Sequence, residues 1–271
     1  MKKLLKIAAV AALAASCSQG PAQKVLVLYY SQNGTTQTVA EEISSRLGAD
    51  IEAIVPVNPY DGDFHATIER GGQELREGIL PEIQPLAADI SAYDVIFIGY
   101  PVWFGTCALP VKTLLFTTDF SGKKLVPFCT FGSGGLDSSS RDIQAAQPEA
   151  EILPGYGVRA ARIEAVPGEI DLFLKAGGFI EGEFEALGEF GETHPVSDEE
   201  AAIFNDAVGD YPMMHACAEE ASYREVPGGV EYLFTARDLP RDGMDSPFAG
   251  TIKVYVLVED GKAPVFTQVV R

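Results

Sequence analysis

Strands and helices alternate along the first two thirds of this sequence. Residues 25–30 and 93–100 are continuous apolar and aromatic runs, which is the composition of parallel strands buried on both faces. Residues 35–47 place apolar side chains at helical spacing and end before Gly48, a residue type that favours helix termination. The predicted strands are residues 25–30, 51–55, 93–100, 125–130 and 156–161, and the predicted helices are residues 35–47, 65–77, 109–116, 137–146 and 168–176. Five strands that each lead into a helix predict an α/β fold with a doubly wound parallel sheet.

The pattern changes after residue 179. Residues 252–258 alternate apolar and polar side chains, which is typical of an antiparallel sheet with one face in water. A helix is predicted over residues 197–208, because Ser197 can cap it and Glu200 completes a capping box. We therefore expect a first domain over residues 24–178 and a small α+β domain over residues 190–271.

The charge balance of the chain is strongly acidic. There are 20 Lys and Arg residues against 39 Asp and Glu residues, a net charge of −19. Loss of the first 16 residues would remove three lysines and leave 17 basic and 39 acidic side chains, a net charge of −22. A nucleic-acid partner is therefore not expected, since phosphate backbones require basic surfaces.

The first residues have the pattern of an export signal. Lysines at positions 2, 3 and 6 precede the apolar residues 7–15, a run shorter than the ~20 residues that span a bilayer. Residues 13–17 resemble a bacterial lipobox, which predicts a signal over residues 1–16, lipidation of Cys17 and a tether over residues 17–23. The protein would then be a lipoprotein on a membrane, facing the periplasm or the outside. The alternative is an ordinary cleaved signal with an incidental cysteine.

The remaining cysteines and the histidines do not form a metal or disulfide pattern. Without Cys17 the cysteines number three, at positions 107, 129 and 217, and the histidines at 65, 194 and 215 have no ligand spacing. No metal site is expected. No basic residue adjoins Cys107 or Cys129, so we interpret both as small buried residues, with a redox role beside a cofactor as the alternative.

A polar loop connects the first predicted strand to its helix. Residues 31–36, Ser-Gln-Asn-Gly-Thr-Thr, contain hydroxyl and amide groups but no Lys or Arg. A helix N-terminus favours an anion, and neutral donors suit a phosphate monoester. The alternative is a polar turn in which Thr35 or Ser31 caps the helix.

Two further loops follow the third and fourth predicted strands. Residues 101–106 contain Trp103, the single tryptophan of the chain, and residues 130–135 contain three glycines. An exposed aromatic ring and free backbone N–H groups suit a flat heterocycle, and ligands bind at the carboxyl ends of strands in open α/β sheets. The alternative for Trp103 is a half-buried packing residue. Together, one phosphate loop and two ring loops predict an FMN site.

Residues 24–178 resemble the flavodoxin-like family, in particular its exported bacterial lipoproteins. The Ser31 to Thr36 loop is similar to the Thr-x-Thr-Gly-x-Thr phosphate loop of the family, and residues 99–105 and 127–135 are similar to its ring loops. The resemblance implies the strand order 2-1-3-4-5 and FMN as the cofactor. Ser31 and Asn33 stand where the family commonly has Thr, and Phe104 stands where many relatives have a second Trp.

The resemblance also implies a role for individual residues. Trp103 would stack on the isoalloxazine, and the redox chemistry would be that of the cofactor, so no catalytic residue is assigned. The phosphate-binding residues would be Ser31, Asn33, Thr35 and Thr36, with Gln32 and Gly34 contributing backbone groups, and the ring would be lined by Pro101, Val102, Phe104, Gly105, Thr130, Phe131, Gly132 and Gly135.

The C-terminal region is similar to cystatins in one fragment. Residues 224–228, Arg-Glu-Val-Pro-Gly, resemble the Gln-x-Val-x-Gly hairpin of that family, with Arg in place of Gln. The domain stands behind another one, so we expect assembly or partner docking instead of protease inhibition. A passive stabilising appendage is the alternative.

Two functions are compatible with these observations. The first is an FMN-dependent oxidoreductase or electron carrier that serves a small acceptor such as a quinone, or a redox partner protein. The second is a binding or assembly module with a vestigial flavin site. A homodimer is a further partner interaction that the sequence leaves open.

Overall fold

A parallel sheet organises the first part of the chain in this computed structural model, which describes residues 23–60, 64–209, 211–212, 214–239 and 250–271. Its strands are β1 (Val25–Tyr29), β2 (Asp50–Ala53), β3 (Val95–Trp103), β4 (Thr106–Cys107), β5 (Lys124–Phe131), β6 (Glu151–Ile152) and β7 (Tyr156–Arg159). The order is β2-β1-β3-β5, and β6 and β7 both pair with the outer edge of β5. Short β4 pairs antiparallel with β3. The predicted doubly wound sheet and its order 2-1-3-4-5 are confirmed, with β6 and β7 sharing the fifth position.

Helices cover both faces of this sheet. They are α1 (Thr35–Leu47), α2 (Phe64–Glu77), α3 (Leu109–Thr117), α4 (Leu136–Ala146) and α5 (Val166–Ala176), with 3-10 turns at Ile90–Ala92 and Ala160–Ala165. Because side chains alternate along a strand, Val27 packs in one core with Val39 of α1 and Ile170 of α5. Leu26 and Leu28 pack in a second core, on the side of α3 and α4. The fold therefore has three layers, with the sheet in the middle.

The end of β3 differs from its sequence-based prediction. The strand continues to Trp103 and turns back into β4, so the segment predicted as a loop is a hairpin. The ladder extends because Pro101 pairs with Thr130 of β5 and Val102 pairs with Cys107. The exposed part of the second loop is thus reduced to the hairpin tip at Phe104 and Gly105.

A second, antiparallel sheet follows, and we call residues 194–271 the C-terminal module. Its elements are β8 (His194–Pro195), α6 (Asp198–Val208), β9 (Ala216–Val226), β10 (Gly229–Asp238), β11 (Gly250–Glu259) and β12 (Val265–Val270), in the sheet order β12-β11-β10-β9-β8. Phe204 of α6 packs on Phe234 of β10 in a separate core. The predicted antiparallel sheet is confirmed, and so is the capping box of Ser197 and Glu200.

The predicted export signal, Cys17 and tether residues 17–22 lie outside the described residues. None of the helices in the described ranges combines the length and the apolar character that a membrane crossing needs. The cystatin-like fragment, residues 224–228, lies at the turn between β9 and β10.

Candidate functional site

The three predicted loops meet at one edge of the parallel sheet. They follow β1, β3 and β5, which are neighbours in the sheet and run in the same direction. The Ser138 hydroxyl of α4 donates a 2.7 Å hydrogen bond to the carbonyl of Gly105, which joins the second loop to the helix after the third loop. The side chain of Val102 lies against Gly135. The structure therefore brings together the segments that the sequence placed in one site.

Gly34 begins helix α1 in the first loop. It is the N-cap with a φ of 90°, a left-handed conformation that glycine adopts without strain, so neither Ser31 nor Thr35 is the cap. The Ser31 hydroxyl accepts a 3.1 Å hydrogen bond from the Gly34 N–H, and Asn33 Oδ1 accepts one of 2.7 Å from the Thr35 hydroxyl. These bonds hold the loop in shape through its own side chains.

The first turn of α1 offers donors for an anion. Within the described ranges, the backbone N–H groups of Thr36 and Gln37 donate no hydrogen bond, as is usual for the first turn of a helix. The helix dipole also favours negative charge at this end. The loop residues carry no formal charge, so a phosphate here would be held by neutral donors, as the sequence predicts.

Two residues predicted as cofactor ligands direct their hydroxyls into the protein. Thr36 is fully buried and Thr130 is 2% exposed. Their hydroxyl oxygens lie 2.8 Å apart in a hydrogen bond that joins α1 to β5. The group that Thr36 presents at the loop is therefore its backbone N–H.

The Gln32 side chain is hydrogen-bonded to an aromatic cluster, which we define as Tyr30, Tyr60 and Trp103. The Tyr30 hydroxyl donates to Gln32 Oε1, and Gln32 Nε2 donates to the carbonyl of Tyr60 at 2.5 Å. The Trp103 ring makes edge contacts with both tyrosines, at centroid distances of 5.7 Å and 4.9 Å. Burial raises the pKa of both tyrosines well above the usual range, so both phenols stay protonated and act as donors. The two tyrosines therefore pack against the Trp103 ring and hold it in position.

The hairpin tip after Trp103 is strained. Phe104 has a φ of 52° and Gly105 a φ of 79°, a pair of positive values as in a type I′ turn. A phenylalanine in this region is rare, and such strain clusters at ligand-binding segments. The Phe104 side chain is 49% exposed.

Glycines of α2 lie beneath this tip. A Cβ atom added at Gly71 would lie 3.5 Å from the Phe104 ring and 3.6 Å from the Trp103 ring, and one at Gly72 would lie 3.5 Å from Phe104. Sequence patterns did not predict that α2 and the two tyrosines of the cluster belong to this edge. A Gly-Gly pair inside a predicted helix was the available signal, because such a pair indicates close approach of another group.

The third loop is tightly enclosed. Phe131 is buried, and Gly135 has a φ of 125° with its Cα facing the Val102 side chain. A Cβ at Gly134 would lie 2.1 Å from the carbonyl oxygen of Val269, and one at Gly132 would lie 2.7 Å from the hydroxyl of Tyr211. Two of the glycines thus admit close contact with the C-terminal module, a reason the sequence analysis did not foresee.

Arg159 joins this loop to the module. It ends β7, and its Nε donates to the carbonyl of Gly132 at 2.8 Å while a terminal nitrogen donates to the carbonyl of Phe266 at 3.0 Å. Its guanidinium lies 3.4 Å from the centroid of the Phe266 ring and 5.3 Å from that of Tyr211. Burial lowers the pKa of Arg159, although arginine remains charged at ordinary pH.

Cys107 and Cys129 are buried, as predicted, while Cys217 is exposed. Burial raises the pKa of the Cys107 thiol to about 12 and that of Cys129 well above its usual range. Both therefore remain neutral thiols, which are poor nucleophiles. Within the described residues no group of three or more His, Cys, Asp or Glu side chains is arranged to hold a metal ion.

The model of the flavodoxin family matches residues 24–165, just over half of the chain. This chain belongs to the flavodoxin family. The match covers all three loops and ends before the C-terminal module.

Several solved structures of flavoproteins are similar to this flavodoxin-like part. One from Bacteroides eggerthii is 29% identical, with 55% of this chain and 98% of that chain covered and a TM-score of 0.47. One from Bacteroides uniformis is 27% identical over 55% of this chain and 98% of that chain, with a TM-score of 0.49. A flavoprotein from Lactobacillus acidophilus, solved in complex with FMN, is 27% identical over 50% of this chain and 93% of that chain, with a TM-score of 0.45.

Proposed function

We propose that this protein binds FMN and passes electrons or hydride through it to a small acceptor such as a quinone, or to a redox partner protein. One observation carries the proposal: a helix N-terminus with free N–H donors lies beside two loops that suit a planar ring, at the carboxyl edge of the sheet of a flavodoxin-family chain. FMN would supply the electron and hydride chemistry, and the protein would supply binding, orientation and electrostatics.

The first loop would hold the phosphate. The N–H groups of Thr36 and Gln37 are oriented by helix α1, and the Ser31 and Thr35 hydroxyls lie in the same loop. The donor set fits a phosphate monoester, because several neutral donors at a helix N-terminus can bind an anion without a lysine. An acidic chain also repels competing polyanions, so short-range hydrogen bonds would select the ligand.

The hairpin tip and the third loop would hold the ring. Trp103 and Phe104 provide aromatic surface, and the aromatic cluster and α2 restrict the Trp103 rotamer before any ligand arrives. A preorganised ring loses less conformational entropy on binding. These residues would stack on the cofactor and exclude water from one face of it.

The proposed location and partners rest on sequence patterns. Lipidation of Cys17 would anchor the protein outside the cytoplasm, and a net charge of −22 after loss of residues 1–16 would favour association with a basic redox partner. A cystatin-like C-terminal module would add assembly or partner docking, supported by its helix and its long antiparallel strands.

A second candidate is a binding or assembly protein with a vestigial flavin site. Three observations favour it: Thr36 and Thr130 bond to each other, Gln32 bonds inward, and the C-terminal module contacts the third loop. This candidate keeps the fold and assigns the biological role to the module.

Substitution of Trp103 by alanine distinguishes the two candidates. Trp103→Ala should weaken FMN binding several-fold, since an aromatic pair contributes about 0.5–1.5 kcal/mol, and should slow quinone reduction in an anaerobic assay with NADH or NADPH. Phe116→Ala removes an aromatic ring that is 80% exposed on α3 and serves as the control. Equal FMN affinity and equal reduction in both variants would contradict the redox proposal and support the assembly role.

A further inference from the structure

Two consecutive carbonyl groups of the third loop accept hydrogen bonds at its contact with the C-terminal module, one from the module itself and one from Arg159. The Val269 N–H of β12 donates a 2.6 Å hydrogen bond to the carbonyl of Ser133. The carbonyl of Gly132 accepts from Arg159, whose guanidinium also donates to Phe266 of β12. The Ser133 carbonyl therefore points toward the module. The Gly132 carbonyl points toward Arg159, which is itself bonded to the module.

These contacts also set the direction of two N–H groups. In a trans peptide, the N–H of one residue points opposite to the carbonyl of the residue before it. The peptides of the described loop are trans, so the Gly134 N–H points away from Val269 of the module and the Ser133 N–H points away from Arg159. Neither of them donates a hydrogen bond to any described residue.

We propose that the C-terminal module presets these two N–H donors for the polar edge of the flavin ring, with Arg159 as the positioning residue. The inference rests on the proposed FMN function. The flavin edge carries carbonyl and nitrogen acceptors, and the negative charge that builds there on reduction is stabilised by oriented N–H donors. The module is therefore a structural part of the redox site.

Arginine suits this role for geometric reasons. Its planar guanidinium can donate in two directions while one face stacks on Phe266, which a lysine ammonium cannot reproduce. The Tyr211 ring packs beside Phe266 at a centroid distance of 5.2 Å and lies 5.3 Å from the guanidinium. The hydrogen bond to Phe266 is partly buried, and partial shielding from water strengthens it.

The test compares full-length variants of one arginine with a control. Arg159→Met keeps the aliphatic stem and removes both donors, and Arg159→Lys keeps the charge and one donor group. The control is Arg237→Met, which removes an arginine of the C-terminal module whose side chain is 62% exposed and pairs with Glu219. The measurements are the dissociation constant of FMN, the midpoint potential of bound FMN, and hydrogen exchange at the Ser133 and Gly134 amides in the FMN-free protein.

Three results are expected together. Arg159→Met should bind FMN at least tenfold more weakly, with a more negative midpoint potential and faster exchange at both loop amides than the wild type. Arg159→Lys should recover part of the affinity, and Arg237→Met should match the wild type in all three measurements. A purely structural role would lower thermal stability without a change in the potential of the FMN that remains bound, and that result would overturn the inference.

A second variant tests the same inference if Arg159→Met does not fold. Val269 lies in the edge strand of its sheet, with its side chain buried in the core of the module and its N–H directed at Ser133. Proline keeps an apolar side chain at this position and removes the N–H donor. Val269→Pro should therefore produce the same direction of change in affinity, potential and exchange. Wild-type affinity and potential in these variants would overturn the inference while the FMN function stands. A wild-type protein that binds no FMN would contradict the proposed function itself and with it the role of the two donors toward the ring.

Discussion

The hydroxyl groups of Thr36 and Thr130 form a hydrogen bond of 2.8 Å that joins the first turn of α1 to the carboxyl end of β5. Both side chains are almost completely buried. The two elements carry the first and third loops of the candidate site, so this bond links the phosphate end of the site to its ring end.

Loss of one hydroxyl of this pair should destabilise the protein. Thr36→Val keeps the volume but leaves the buried Thr130 hydroxyl without its partner, at a cost of about 1–3 kcal/mol in the free energy of unfolding. Urea denaturation measures the change. The double variant Thr36→Val with Thr130→Val should recover much of the loss, and Thr251→Val at an exposed strand position should stay within about 0.5 kcal/mol of the wild type. A double variant that is less stable than Thr36→Val would contradict this interpretation.

Addition of a methyl group at Gly71 should stabilise the protein. A Cβ there would meet the Trp103 and Phe104 rings at ordinary contact distances of 3.5–3.6 Å. Alanine inside a helix is better than glycine by about 0.5–1 kcal/mol. Thermal unfolding of Gly71→Ala should show a higher midpoint. A smaller gain is expected for Gly72→Ala, since its Cβ would displace the flexible end of Arg76 at 3.3 Å. A lower midpoint for Gly71→Ala would contradict these contact distances, because it would mean that the hairpin tip leaves no room for a methyl group on α2.

The same substitution at Gly134 should have the opposite effect. A Cβ there would lie 2.1 Å from the backbone oxygen of Val269, so the loop and β12 would have to separate. We expect a loss of about 1–3 kcal/mol in the free energy of unfolding, the usual cost of overpacking. Gly168→Ala in α5, where a Cβ meets nothing within 4 Å, is the matched control. Equal stability of the two variants would show that β12 does not pack closely against Gly134 of the third loop.

The C-terminal module should show a pH-dependent contribution from His194. Its Nε2 lies 2.8 Å from Glu200 Oε1, and this hydrogen bond raises the pKa of His194 above its usual value of 6.5. A raised pKa in the folded state means that the contribution is complete below pH 6.5 and is lost as the pH rises through the folded-state pKa.

Stability measured from about pH 5.5 to pH 8.5 tests this contribution. The difference between the wild type and His194→Gln should be largest at the acidic end and should shrink as the pH rises. Thr251→Val at an exposed strand position of the same module involves no titrating group and is the control. A difference that grows with pH would contradict the assigned direction of the pKa shift.

Most of the fold could be predicted because its signals are local. Continuous apolar runs mark the central strands, and Ser197 with Glu200 marks the start of α6. The place of the three loop segments was predictable for the same reason, since each lies at or directly after the carboxyl end of a strand that the apolar runs mark. The hairpin at Phe104 was not, because its pairing depends on a ladder that the tertiary structure extends.

The contribution of the C-terminal module could not be predicted from local patterns. Arg159 and Phe266 are 107 positions apart, and neither lies in a recognisable motif. The sequence predicts that the three glycines of the third loop free backbone N–H groups for a flat ring, whereas in the structure Gly132 and Gly134 also allow the close approach of Tyr211 and Val269. A glycine indicates a close approach, and only the structure identifies the approaching group.

Titration of the FMN-free, full-length protein with FMN tests the central claim most directly. Flavin fluorescence should be quenched to a stoichiometry of one FMN per chain, because the ring would stack on Trp103 in a single site. Riboflavin, which lacks the phosphate, should bind much more weakly, since it cannot use the donors at the start of α1. No quenching by FMN, or equal affinity for FMN and riboflavin, would contradict the claim that these three loops form a flavin site.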